Sequence, residues 1–195
     1  MKFFSQFGED KWIFENLNPP QYGYFVEVGL DDSVQSSNTF FFERQGWRGI
    51  GIEPDPRNSV KVASLRKCAI DKRAAGKMPG VAGFTVHAST ALSGLIRPVE
   101  QGCSRVQVVV ETLTKILDDH QSPARIDLLS IDTEGTELDV WAGLDLTKYR
   151  PQIVVIEYDT LGICRDPDGV ATTIQKDGYR LVHTTQCNLI LENIR

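Results

Sequence analysis

The chain has 195 residues, 41% of them hydrophobic and 24% charged, with 16 glycines and 9 prolines. That length buries one full core without cross-links, and the composition excludes a fibre or a disordered chain. A net charge of −5 gives a surface that repels phosphate backbones, so a nucleic-acid partner is not expected.

Four cysteines, Cys68, Cys103, Cys164 and Cys187, form no C-x-x-C pair. They read as reduced, partly buried thiols of a cytoplasmic protein rather than as a zinc site. The opening residues meet charge too soon for a signal peptide, and no apolar run approaches the ~20 residues of a membrane span. A soluble, cytoplasmic protein with no membrane partner is expected.

In chain order, a first helix is predicted from Glu9 to Leu17, stopped by Asn18-Pro19-Pro20. Tyr24 to Val28 reads as a buried strand ending in Gly29 and a polar turn. The next helix is capped by Ser36 or Ser37, carries Phe40, Phe41 and Glu43, and stops at Gly46. Strand two runs from Gly49 to Glu53, and Asp55-Pro56 has the N-cap and first-position chemistry of a helix reaching about Arg66. Cys68 to Ile70 is a short third strand.

From Asp71 to Gly102 glycine and proline break the pattern, and an irregular insertion is predicted, with one strand candidate at Phe84 to His87. Val106 to Val110 is the next strand, and Thr112 to Asp119 a helix. Ile126 to Asp132 is the fourth core strand. Thr136 and Asp139 have capping-box spacing and open a helix ending at Gly143. Gln152 to Glu157 is an apolar strand. A helix around Val170 to Lys176 precedes a hairpin of Tyr179 to His183 and Asn188 to Glu192. The whole reads as one α/β domain over 1–195. Its sheet is doubly wound and mostly parallel, with an antiparallel C-terminal edge hairpin.

Three acids mark strand ends: Glu27 with Gly29, Glu53, and Asp132. Ligands of such sheets bind at the carboxyl ends of the strands, where the strand order reverses. Gly29 lets the backbone approach closely, and a carboxylate at Glu53 accepts two hydrogen bonds, as a ribose diol requires. The turn Gly29-Leu30-Asp31-Asp32-Ser33 lacks the G-x-G-x-x-G that cradles pyrophosphate. Its aspartates repel pyrophosphate but tolerate a sulfonium and an amino group, which favours S-adenosyl-L-methionine over NAD. Phe40-Phe41-Phe42 reads as core, and His87, His120 and His183 read as structural, with His87 in the insertion that roofs the substrate site.

Several blocks then stand out together: Ser5-Gln6-Phe7-Gly8-Glu9-Asp10, Phe25-Val26-Glu27-Val28-Gly29, Ser37-Asn38-Thr39, Trp47 to Pro54, and Ile126 to Glu137. In this order they resemble the FkbM family of methyltransferases over nearly the full chain. The resemblance implies a Rossmann-like class I methyltransferase fold with S-adenosyl-L-methionine as cofactor. Glu27 and Gly29 would border its methionine part, Glu53 its ribose, and Asp71 the adenine edge. Asp132 and Thr133 would line the transfer cleft. Gln6 and Glu9 would close over the amino-acid end, and Asp32 and Asn38 complete the cofactor-binding set. Ser33 stands where the family usually has glycine, which points to a strained turn if the position needs φ > 0.

The reaction implied is O-methylation of a small hydroxylated molecule or glycan unit. Asp132 is the first candidate for the base or for substrate positioning, with Glu134, Glu157 and Asp159 as second-rank catalytic candidates. Oxygen ligands at Asp132, Glu134 and Asp159 would suit magnesium or calcium, but no metal is assigned, because Glu134 and Glu137 are placed early in a helix, where acids are favourable anyway. The rival readings are a module of the same fold that binds ligand without turnover, and an NAD-dependent oxidoreductase.

Overall fold

A computed structural model describes residues 1–31, 34–89, 92–160 and 164–195. The main sheet has seven strands. β1 (Tyr24–Val28), β2 (Arg48–Ile52), β3 (Ala69–Asp71), β7 (Arg125–Ile131) and β8 (Arg150–Glu157) run parallel. β11 (Tyr179–Thr184) and β12 (Asn188–Asn193) complete it in the spatial order β11-β12-β8-β7-β1-β2-β3. The hairpin is where the sequence places it, but β12 lies inside β11 and pairs antiparallel with β8. β12 is therefore the one strand of this sheet that opposes the rest, and β11 forms the edge.

Alternation along the strands divides the core in two, as a period of two residues requires. Val26, Leu129, Val154, Ile156 and Leu191 face α4 (Leu113–Asp119), α5 (Glu137–Ala142) and α6 (Pro167–Lys176). Phe25, Leu128, Ile153, Val155 and Ile190 face α1 (Glu9–Asn16) and α2 (Phe40–Arg44). Phe41 and Phe42 pack at the centre of that second layer, with Phe42 4.8 Å from the Trp47 ring. Helices on both faces explain why these strands are apolar almost throughout.

Local chemistry sets the boundaries. Asp55 caps α3 (Pro56–Leu65) by accepting from the Arg57 N–H at 2.9 Å, with Pro56 at the first helical position. Ser37 accepts from the Thr39 and Phe40 N–H groups ahead of α2, although Thr39 is the N-cap residue itself. The capping box at Thr136 and Asp139 does not form, because the Thr136 hydroxyl donates to Thr133 and no side chain caps the helix. Glu134 is not helical either. It precedes α5 in a turn, with φ of 61°.

The stretch from Asp71 to Gly102 is more regular than predicted. β4 (Ala74–Gly76) and β5 (Gly80–Val86) flank β6 (Ser104–Thr112) in a separate three-stranded sheet. Ala74, Phe84, Val86 and Val108 form its own small core. The glycines at 76, 80 and 83 hid this alternation in the sequence. β9 (Asp159–Thr160) and β10 (Cys164–Arg165) make a two-stranded ribbon after β8. Among the described residues, no helix is long and apolar enough to cross a membrane.

Candidate active site

Strand order reverses between β1 and β7, and a cavity of about 350 Å³ opens at their carboxyl ends. Its walls include Gln6, Glu27, Gly29, Asn38, Glu53, Asp132, Thr133, Glu134 and Asp159, nine of the residues singled out from sequence. Asp71 is not on the wall: Arg73 grips its carboxylate, with Nη2 at 2.7 Å, and His120 Nε2 lies 2.9 Å away. Those contacts hold the Asp71 carboxyl below its usual range despite burial. Asp32 and Ser33 lie outside the described residues, so the departure from glycine at Ser33 has no structural account here.

Gly29 has φ of 85°, and a Cβ there would stand 1.8 Å from the Asp132 carbonyl oxygen. Its N–H donates to Ile52 O, while the Asp132 N–H donates to Val28 O, both at 2.9 Å. The close approach that demands glycine is thus to the neighbouring strand end, and it clamps the β1, β2 and β7 termini together.

Glu53 is 4% exposed. Its Oε2 accepts from the Leu30 and Asp31 N–H groups at 3.1 and 3.2 Å, and Oε1 from the Asp55 N–H at 2.8 Å. Burial nevertheless pushes the carboxyl up to about 7, outweighing those three donors. Glu27 lies deeper, where Ser37 and Thr39 hydroxyls and Arg66 Nη1 converge on it at 2.6–3.1 Å. Arg66 also binds Glu43, Nε to Oε2 at 2.9 Å, making a buried charge network under α2. Glu27 therefore supports the cavity floor with its carboxylate already engaged. Asn38 Nδ2 donates to Ser130 Oγ at 3.0 Å.

The transfer side is built from β7 and β8. Carboxylate oxygens of Asp132, Glu134 and Glu157 lie within 4.8 Å of one another. Desolvation, reinforced by the Glu134 and Glu137 charges, raises the Asp132 carboxyl well above the usual range. Desolvation and the Asp132 charge do the same to Glu157, and the two side chains are hydrogen-bonded. Like charges this close share a proton rather than both ionise. Glu134 pairs with Arg97, which reaches over from the small sheet's side. Glu137 holds the loop by accepting from the Thr133 N–H and hydroxyl and the Gly135 N–H at 2.9–3.1 Å.

Sequence reasoning placed Glu157 in the second rank of the acids, with Glu134 and Asp159, and missed roles for Arg66, Glu137 and Asn188. The Glu137 carboxylate at the first position of α5 was visible, but its grip on the preceding loop was not. The histidines lie off the wall: His183 stacks on Trp12 at 4.5 Å, and His87 bonds within its own loop to Ser89. Among the described residues, Cys68, Cys103 and Cys187 form no disulfide.

The wall holds seven carboxyl side chains, Glu27, Asp31, Glu53, Asp132, Glu134, Glu157 and Asp159. Among the described residues, no lysine, arginine or histidine lines it. The family model of the methyltransferase FkbM domain matches residues 27–181. The chain belongs to the FkbM methyltransferase family. The FkbM match runs from the end of β1 into β11, the hairpin's first strand, and the sheet is that of the class I methyltransferase fold. A search of curated proteins returned no match. A solved TehB-like SAM-dependent methyltransferase from Corynebacterium glutamicum is similar at 11% identity and a TM-score of 0.49, over 98% of this chain and 89% of that one.

Proposed function

We propose that this FkbM protein transfers a methyl group from S-adenosyl-L-methionine to an oxygen of a small hydroxylated molecule or glycan unit. The observation that carries the reading is the cavity wall, seven carboxyl groups with no lysine, arginine or histidine among the described lining residues, at the point where strand order reverses. Such a wall suits a sulfonium and an ammonium and opposes a pyrophosphate, which argues against NAD. The volume is that of a small-ligand pocket.

Gly29 and Asp31 border the methionine part, and Asp32, which lies outside the described residues, is assigned to the same end by its place in the sequence. Glu53 takes the ribose hydroxyls, and Gln6 and Asn38 flank the amino-acid end. Asp71 remains a candidate for the adenine edge only if Arg73 releases it. When bound, the cofactor supplies the electrophilic methyl group and its leaving group. The protein's share is alignment and proton removal. Asp132, oriented by the Glu157 carboxyl, accepts the acceptor's proton, and Thr133 helps line the cleft. Glu134 and Asp159 position the acceptor. Ala74, Ala75, Phe84, Leu92, Ser93 and Leu95 belong to the stretch 71–102 and face the cavity, so that stretch sets acceptor choice. The chain acts as one cytoplasmic domain on a small molecule, without nucleic acid or membrane.

Incubation of the protein with methyl-labelled S-adenosyl-L-methionine and pooled hydroxylated metabolites and glycans tests this. The expected product carries the label on oxygen, and Asp132→Asn lowers its formation ~100-fold or more, within the range of general-base effects. Label on nitrogen or carbon only, or an unaffected Asp132→Asn, contradicts the assignment.

A further inference from the structure

We propose that Asp132, Glu134 and Glu157, together with the side-chain carbonyl of Asn188, form a site for one oxygen-preferring divalent cation of the magnesium or calcium class. The three carboxyl groups bring ligand oxygens within 4.8 Å of one another. A cation held at about 2.4 Å from each oxygen spans about that separation, the calcium distance, and magnesium, at about 2.1 Å, needs the oxygens to close by roughly 0.6–0.7 Å. The donors are all oxygen, which disfavours zinc and copper.

Asn188 is an independent observation. It is 6% exposed, lines the same cavity, and its Oδ1 is buried with no hydrogen-bond partner. Its orientation is not arbitrary. Nδ2 donates at 3.0 Å to Glu9 Oε1, which also accepts from the Thr185 hydroxyl, so the nitrogen must face Glu9 and the oxygen must face away. Asn188 stands directly opposite Glu157 across the β8–β12 pairing, which puts both side chains on one face of the sheet. A buried carbonyl without a donor, beside carboxylates that crowd together, is what a hard cation satisfies. Arg97 neutralises Glu134 from outside the wall, which leaves the Asp132–Glu157 side of the cluster facing the cavity. Any use of the cation in methyl transfer rests on the reading above, whereas its binding does not.

Titration of the full chain with Mn²⁺, followed by electron paramagnetic resonance, tests the site without any organic ligand. One saturable Mn²⁺ per chain is expected, displaced by Mg²⁺ or Ca²⁺ but not by K⁺ at equal ionic strength. Glu157→Gln and Asn188→Leu should each weaken it on the order of tenfold or more. The wild-type competition stands even if a variant fails to fold. No saturable Mn²⁺ binding by the wild type, or binding unchanged in both variants, overturns the proposal. S-adenosylhomocysteine binding measured in excess chelator keeps the two questions apart: if it persists while Mn²⁺ fails, the cation site falls and the cofactor reading stands.

Discussion

At Gly29 conformation and space make the same demand, because φ is positive and the Asp132 carbonyl fills the place of a Cβ. Gly29→Ala should cost roughly 3 kcal/mol of stability in urea unfolding, by strain and by parting the strand ends. A loss below about 1 kcal/mol would show that the clamp can relax. Glu53 gives a pH signature. Its carboxyl titrates near 7 in the folded chain against 4.5 ordinarily, so it binds its proton more tightly folded than unfolded. Its contribution to stability is full below about 4.5 and is lost as pH rises through about 7. Ribose hydroxyls need the ionised form, so S-adenosylhomocysteine affinity should fall as pH drops through about 7. Glu53→Gln should bind roughly tenfold more weakly with that pH step gone, and a retained step would assign it to another group. Gly29, Glu53 and Asp132 were legible because each directly ends or follows a strand whose pattern is plain. Asp71 ends a strand too, but Arg73 and His120 claim it, and nothing in the local sequence announces a partner from just past α4.

Between elements, Arg66 matters most. It leaves the end of α3, passes between the Phe25 and Phe40 rings at 5.4 Å from each, and joins Glu27 to Glu43. Arg66→Met leaves two buried carboxylates uncompensated and should cost about 3–5 kcal/mol. The triple change Glu27→Gln, Glu43→Gln, Arg66→Met should recover most of that loss in thermal unfolding, because no charge then remains buried. Equal losses in both would place the cost in packing instead. The helices and strands themselves were readable where apolar alternation or caps were strong, as at Asp55-Pro56. The β4–β6–β5 sheet was not, since its glycines interrupt the pattern and its core forms only when β6 returns after the loop.

For the molecule as a whole, the site is assembled from residues that sequence distance conceals. Glu9 meets Asn188 across 179 positions, and the hairpin so anchored brings Asn188 beside Glu157. The family blocks locate the cofactor side of the cleft, while the far wall depends on how β12 turns back against β8. The central claim is that this cavity holds S-adenosyl-L-methionine. Isothermal titration with S-adenosylhomocysteine tests it most directly. One site per chain is predicted, weakened in Glu53→Gln, with no heat from NADH. No heat from S-adenosylhomocysteine or S-adenosyl-L-methionine at high excess, or binding of NADH in their place, would contradict it.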